Sequence, residues 1–346
     1  MRKFICIILF SITLITSCNI FNTKNNSIST DWEPSVHERQ GVDSEHLLKM
    51  LKHIKKNNLD IHNIMIVRND KLVFDFHSFP YTKEIMHNVK SVSKSIISGV
   101  VGIDLDKGLI DSLNTPEYTF NDNKKTIILT HLLTLTSGLA LDENGPISLD
   151  IFDSNDWIKA TIAQPMANKS GETFNYCTRL SHIMSGILTK KNGMNLLELS
   201  QDYLFNPLEI NNVKWDKESK GYNFGGSDLW MDINSITKIG YLYLNDGKWR
   251  NQQIIPKDLI HESTEEKIIE NGDVYSGYWW RDVNKVWKVA MGWGSQFIFY
   301  NKKLNTNFTV TSAYGDQSSL MMILNYIFPV IIQLDNLKEN ITVNHE

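Results

Sequence analysis

The sequence predicts an α+β fold in which strands from both ends of the chain build one sheet and a helical region, over about residues 100–265, lies between them. Three observations carry this. Near the N-terminal end, "NIMIVRNDKLVFDFHS" sets two apolar runs around Asn69-Asp70, the pattern of a β-hairpin. From Ser91 to about Thr264 apolar residues recur at helical spacing, interrupted by loops rich in Asn, Gly and Asp. Beyond Asp273, "SGYWWRDV", "VWKVAMGW", "SQFIFYN" and "FTVTSAYG" read as successive strands, and "QSSLMMILNYIFPVIIQ" reads as a closing apolar helix.

Residues 1–18 read as an address rather than as part of the fold. "MRKFICIILFSITLITSC" has a basic start, a short apolar segment from Phe4 to Leu14 and small residues running into Cys18. A spanning helix needs about 20 apolar residues, more than this segment offers. Two readings remain: a lipoprotein signal with Cys18 as the lipidated residue, or an ordinary secretory signal cleaved nearby. Either implies export. Residues 19–42, polar and Asn-rich, are expected to form a flexible tether, with the folded domain spanning 43–346 and opening on the helix of "DSEHLLKMLKHIKKN", where Asp43 or Ser44 is the candidate cap. Besides Cys18 only Cys6 and Cys177 are present, so a lipidated Cys18 would leave Cys177 without a disulfide partner.

Composition excludes several classes of function. The net charge of −4, without a basic cluster, argues against a nucleic-acid partner, and a 42% hydrophobic content with nine Trp argues for a packed core. "HERQG" and "HESTE" lack the second histidine of a zinc helix, and no two-cysteine ligand pair exists. Neither a Gly-x-Ser-x-Gly elbow nor a phosphate or dinucleotide loop occurs. No metal or other cofactor is expected. Among the scattered histidines, His131 is expected to brace a loop rather than to catalyse.

Chemistry enters at "HNVKSVSKSIISG". Ser91 and Lys94, three apart at a helix start, would lie on one face about 5–6 Å apart at Cβ. The helix N-terminus offers positive potential and free N–H groups, which favour an alkoxide and an oxyanion. A bare Ser-x-x-Lys arises by chance roughly once or twice in a chain of this length. A second copy, Ser235-Ile-Thr-Lys238, does occur, and a solvated helix start accounts for it. Serine needs a proton acceptor to become a nucleophile, so the Ser91–Lys94 pair calls for a third partner.

Six segments in order make the chain resemble the serine β-lactamase and penicillin-binding protein superfamily, in particular its class C-like branch of esterases and 6-aminohexanoate-dimer hydrolases. They are "SVSKSIISGVVGIDLDKGLI", "TIILTHLLTLTSGL", "GETFNYCTRLSHIMSGIL", "GGSDLWMDINSITKIGYLYLNDGKW", "SGYWW" and "MGWGSQFIFYN". The resemblance runs from about Asp43 to Tyr314 and implies a β-lactamase/transpeptidase-like fold with an antiparallel sheet. By the same resemblance Ser91 would be the acylated nucleophile and Lys94 the amine that helps deprotonate it. Tyr176 would be the general base and acid, its phenolate favoured by Lys94; taken alone it would read as a helix-start aromatic. The backbone N–H groups of Ser91 and Gln296 would form the oxyanion hole.

Two departures from the pattern bear on substrate. Tyr176-Cys177-Thr178 stands where Tyr-x-Asn is usual, and Trp293-Gly294-Ser295 where Lys-Thr-Gly is usual. Thr178 lacks the paired carbonyl and amide of Asn. The missing lysine removes a cation suited to a substrate carboxylate. Thr178, Trp293, Gly294 and Ser295 are expected to line the pocket, although Trp293 alone could equally be a surface strand aromatic. The expectation is an exported, membrane-anchored cell-envelope serine hydrolase that cleaves a small ester, amide or peptide-like substrate. The alternatives are a β-lactamase, a D-alanyl-D-alanine peptidase, and a non-catalytic lipoprotein that binds cell-wall fragments.

Overall fold

A computed structural model describes residues 31–114, 118–120, 125–264, 274–281, 287–313 and 325–326. The compact unit begins at Trp32, earlier than the Asp43 start expected. Its first elements are β1 (Glu33–Pro34), α1 (Ser44–Lys56), β2 (Ile61–Arg68) and β3 (Lys71–His77). β1 pairs in parallel with β3, and Trp32 is buried edge-on to Tyr241 and Trp249. Residues 32–42 are thus held by the Trp32 anchor, the β1–β3 pairing and the buried Val42, and do not form part of a tether. Cys18 lies outside the described residues.

Local rules account for the elements that follow. Asp43 caps α1 by accepting from the Glu45 amide at 2.8 Å, and Leu47, Met50 and Ile54 form the buried face of that helix. Between β2 and β3, Asn69 and Asp70 both have positive φ (51° and 60°), as a two-residue hairpin turn of the favoured hand requires.

The middle of the chain holds β4 (His87–Asn88), α2 (Val92–Asp106), β5 (Tyr118–Phe120), β6 (Lys125–Ile127), α3 (Leu129–Leu133), α4 (Pro146–Phe152), α5 (Trp157–Ile162), α6 (Thr178–Asn192) and α7 (Leu196–Ser200). After these come β7 (Val213–Trp215), β8 (Leu229–Met231), α8 (Ile233–Leu244), β9 (Lys248–Trp249), β10 (Gln252–Gln253) and α9 (Lys257–Thr264). Every residue of α2 from Val92 to Asp104 is buried, so it is a central helix rather than an amphipathic surface one. Gly99 lets the Ile255 side chain approach; a Cβ there would sit 2.8 Å from Ile255 Cδ1.

The C-terminal strands are β11 (Val274–Ser276), β12 (Trp279–Arg281), β13 (Lys288–Gly292), β14 (Gln296–Asn301) and β15 (Thr306–Ser312). "SGYWWRDV", expected as one strand, instead spans a tight hairpin turning at Gly277-Tyr278, both of positive φ. The closing helix expected after Gly315 lies outside the described residues apart from 325–326.

An eight-stranded sheet in the order β1-β3-β2-β15-β14-β13-β12-β11 joins the two ends of the chain through the antiparallel pair β2–β15; all its pairings but β1–β3 are antiparallel. Alternation divides the faces. Ile64, Ile66, Phe297 and Phe299 pack with Leu47, Met50 and Ile54 of α1, while Met65, Val67, Ile298 and Tyr300 join the core of the helical region. This is the α+β, β-lactamase/transpeptidase-like architecture that the resemblance implied, with α2 held on the helical-region side of the sheet.

Candidate active site

The turn that delivers Ser91 is fixed on both sides. β4 pairs with β8, Asn88 Nδ2 donates to Asp228 Oδ1 at 2.8 Å, and Asn88 Oδ1 accepts from the Lys90 amide at 3.0 Å. That closes a turn in which Lys90 has φ 51°, a left-handed conformation that costs free energy at a non-glycine residue. Ser91 occupies the N-cap position of α2, yet its hydroxyl makes no capping bond. Lys94 Nζ instead donates to Ser91 Oγ at 2.8 Å. An ordinary polar helix start would show the capping bond instead.

Lys94 is only 1% exposed. Its ammonium has three N–H donors, and three acceptors surround it: Ser91 Oγ, Thr178 Oγ1 at 3.0 Å and the Gly226 carbonyl at 3.2 Å. A buried cation is tolerable only when so satisfied. Gly226 can be nothing larger, since a Cβ there would lie 2.9 Å from Lys94 Nζ and 2.6 Å from Thr178 Cγ2. Gly225 is pressed still harder, at 2.0 Å from the Ser181 carbonyl. "GGSDLW" entered the sequence reading only as part of a longer segment; the role of its glycines follows from their contact with α6.

Tyr176 is half-buried just before α6, with Lys94 Nζ 4.9 Å from its ring centroid, Trp280 stacked on it at 6.0 Å and Tyr275 edge-on. Among the described residues its hydroxyl makes no hydrogen bond. Thr178, the first residue of α6, hands both its amide (2.7 Å) and its hydroxyl (2.5 Å) to the carboxylate of Glu143. Sequence reasoning missed Glu143. It sits in the loop before α4, where the carboxylate of Asp142 gathers the amides of Gly145, Ile147 and Ser148, and no local pattern says where such a loop points. Cys177 is a free, buried thiol whose pKa is pushed up to about 12 by burial, which suits it to packing rather than to nucleophilic attack.

Two more segments complete the surroundings. The Trp293-Gly294-Ser295 turn joins β13 to β14, with Gly294 and Ser295 at φ 79° and 60°. β13 reaches the nucleophile turn at Gly292, where a Cβ would come within 2.4 Å of the Val89 carbonyl. The side chain of Gln296 is a brace: its Nε2 donates to the carbonyls of Gly294 and Ser312. Trp293 is 70% exposed on this turn. Among the described residues no acceptor takes the Ser91 amide, while the next three amides bond the carbonyls of Val89, Lys90 and Ser91. His131 lies against Gly171 and its Nδ1 accepts from the Ile128 amide, a bracing role. No group of three His, Cys, Asp or Glu side chains among the described residues is placed to hold a metal ion.

Ser91, Lys94, Tyr176 and Thr178 therefore converge from α2 and the start of α6, two elements far apart in sequence. Residues 62–222 match the family model described as Beta-lactamase. A protein assigned as a 6-aminohexanoate-dimer hydrolase from Bacillus anthracis has a similar structure, with TM-score 0.72 and 16% identity over 83% of this chain and 82% of that one. The fold is that of serine β-lactamases and penicillin-binding protein homologues.

Other structures of this superfamily-like fold include EstCE1, described as a hydrolase with promiscuous acyltransferase activity, at TM-score 0.71 and 14% identity over 85% of this chain and 100% of that one. A family VIII carboxylesterase gives TM-score 0.68 and 15% identity over 86% and 98%. No curated protein matches the chain significantly. The family match and the fold together support a β-lactamase-related serine hydrolase.

Proposed function

We propose that the protein cleaves an ester or amide through a covalent acyl-enzyme on Ser91. The observation that carries this reading is the buried ammonium of Lys94, held 2.8 Å from a Ser91 hydroxyl that caps nothing. In the proposed first step Ser91 Oγ bonds to the substrate carbonyl carbon, its proton passes to Tyr176 acting as the phenolate, and the carbonyl oxygen takes the negative charge as the C=O π bond opens. The N–H groups of Ser91 and Gln296 would receive that charge, at the positive end of α2. Tyr176 then returns the proton to the departing alcohol or amine as the bond to it breaks. Water repeats the sequence on the acyl-enzyme and frees the acid. Lys94 Nζ, 2.8 Å from Ser91 Oγ, assists the proton transfer from that oxygen.

Substrate preference follows from the turn after β13. Trp293-Gly294-Ser295 offers an exposed indole and no cation, which suits an apolar or extended acyl group better than a carboxylate-bearing β-lactam. The test is hydrolysis of a short-chain p-nitrophenyl ester beside a chromogenic cephalosporin, for wild type and Ser91→Ala. Ester turnover that vanishes in the variant is the expected result; equal inertness of both proteins toward both substrates would end the reading. We also propose that the protein is exported and anchored through lipid on Cys18, for which the signal-like segment is the only support. A Cys18→Ala chain should lose membrane association in cell fractionation.

A further inference from the structure

The proposed chemistry requires Lys94 to be held in place, and one of its three acceptors is a hydroxyl that could equally point a proton at it. Thr178 Oγ carries one hydrogen. If that hydrogen faced Lys94 the contact would set donor against donor, so something must draw it away. Glu143 does so. Its carboxylate, which when ionised can only accept, takes the Thr178 hydroxyl on one oxygen and the Thr178 amide on the other, at 2.5 and 2.7 Å. The lone pairs of Oγ1 are then left for Lys94 Nζ at 3.0 Å.

We infer that Glu143 is a positioning residue for the hydrolase: it acts through Thr178 to fix the direction of the Lys94 ammonium, and the Glu143–Thr178 pair does here what one asparagine carbonyl would do at position 178. An asparagine carbonyl has no proton and needs no partner to orient it toward a cation. A threonine in that place does. The loop geometry around Asp142 brings the carboxylate onto the first turn of α6, so the substitution of Thr at 178 and the acid at 143 form one device. This rests on the reading of Ser91 as the nucleophile.

The test uses the full chain, with the rate of covalent labelling by a fluorescent fluorophosphonate and kcat and KM on a p-nitrophenyl ester as readouts. Glu143→Gln replaces one acceptor oxygen by a donor, so one of the two Thr178 donors loses its partner. Labelling and kcat should fall about 10- to 100-fold, the range for one hydrogen bond to a charged group, with KM within about 3-fold. Thr178→Val should lose a similar amount, and Glu143→Gln added to it should cost no more than about 2-fold further, because the two residues act as a unit. Glu143→Gln combined with Thr178→Asn should regain labelling to within about 3-fold of Thr178→Asn alone, which a mere loop anchor would not allow.

Wild-type labelling with an unchanged rate in Glu143→Gln would overturn the role of Glu143 and leave the nucleophile standing. Additive losses in the Glu143→Gln, Thr178→Val double variant would overturn it in the same way, and would assign Glu143 to loop anchoring. No labelling of wild type would remove the nucleophile and this inference together.

Discussion

The chain writes Ser-x-x-Lys twice at the start of a helix, and the two copies end in different surroundings. In both the lysine is buried, Lys94 at 1% exposed and Lys238 at 4%. Lys238 was expected on a solvated helix start; instead its Nζ donates to the carbonyls of Leu208 and Glu209, closing the end of a preceding turn. Asp232 caps α8 through the Ser235 amide. Lys94 meets a serine hydroxyl, a threonine hydroxyl and one carbonyl, next to a tyrosine ring. Spacing places a lysine near a serine. What else faces the amine decides whether the pair can do chemistry.

The largest expected contrast comes from the serines. Ser91→Ala should lower ester turnover by at least about 10⁴-fold and cost about 1–3 kcal/mol of stability, since no capping bond is lost but the buried Lys94 Nζ loses one of its three acceptors. Ser235→Ala should leave turnover within about 2-fold and cost at most about 1 kcal/mol. Steady-state kinetics beside thermal melts on wild type and the two variants would check both.

The lysines should then separate activity from stability. Lys94→Met is expected to lower kcat by about 10²- to 10⁴-fold, the span of a proton-transfer or charge-stabilising group. Lys238→Met should keep the kcat of its folded fraction and lose about 1–3 kcal/mol in urea unfolding, because the buried carbonyl of Leu208 and the carbonyl of Glu209 lose their donor. A Lys238 variant with normal stability and lost turnover would reverse the comparison.

A third buried ionisable group, at the opposite end of α2 from Lys94, sharpens the point. Asp104 is fully buried with Asn192 Nδ2 at 2.6 Å, and burial raises its carboxyl from 3.8 to about 6 against the opposing pull of Asn192 and Lys107. With the folded value above the unfolded one, the native state binds the proton more tightly, so Asp104 costs nothing below about pH 4. Its cost grows between about pH 4 and 6 and is complete above that. Asp104→Asn should therefore add up to about 3 kcal/mol at pH 7, add nothing near pH 4, and leave kcat unchanged; urea unfolding at the two pH values measures this.

Local patterns made most of the sheet legible. The Asn69-Asp70 hairpin, the capped helix after Asp43 and the alternating strands β13–β15 all follow from short-range chemistry. Three features depended on distant segments and could not be read. Trp32 looks like one aromatic in a polar leader until it meets Tyr241 and Trp249. The burial of Lys238 depends on the Leu208–Glu209 turn. Glu143 reaches the site because the Asp142 side chain closes its loop. Ser91, Lys94, Tyr176 and Thr178 were found by their order along the chain, and the structure brings them together. Gly226, whose carbonyl and missing Cβ complete the lysine pocket, was quoted without a role.

The most direct measurement is peptide mapping by mass spectrometry after exposing the full chain to a fluorophosphonate. The account predicts a single adduct on the peptide carrying Ser91, absent in Ser91→Ala and never on Ser235. An adduct on Ser235, or equal labelling of wild type and Ser91→Ala, would contradict it.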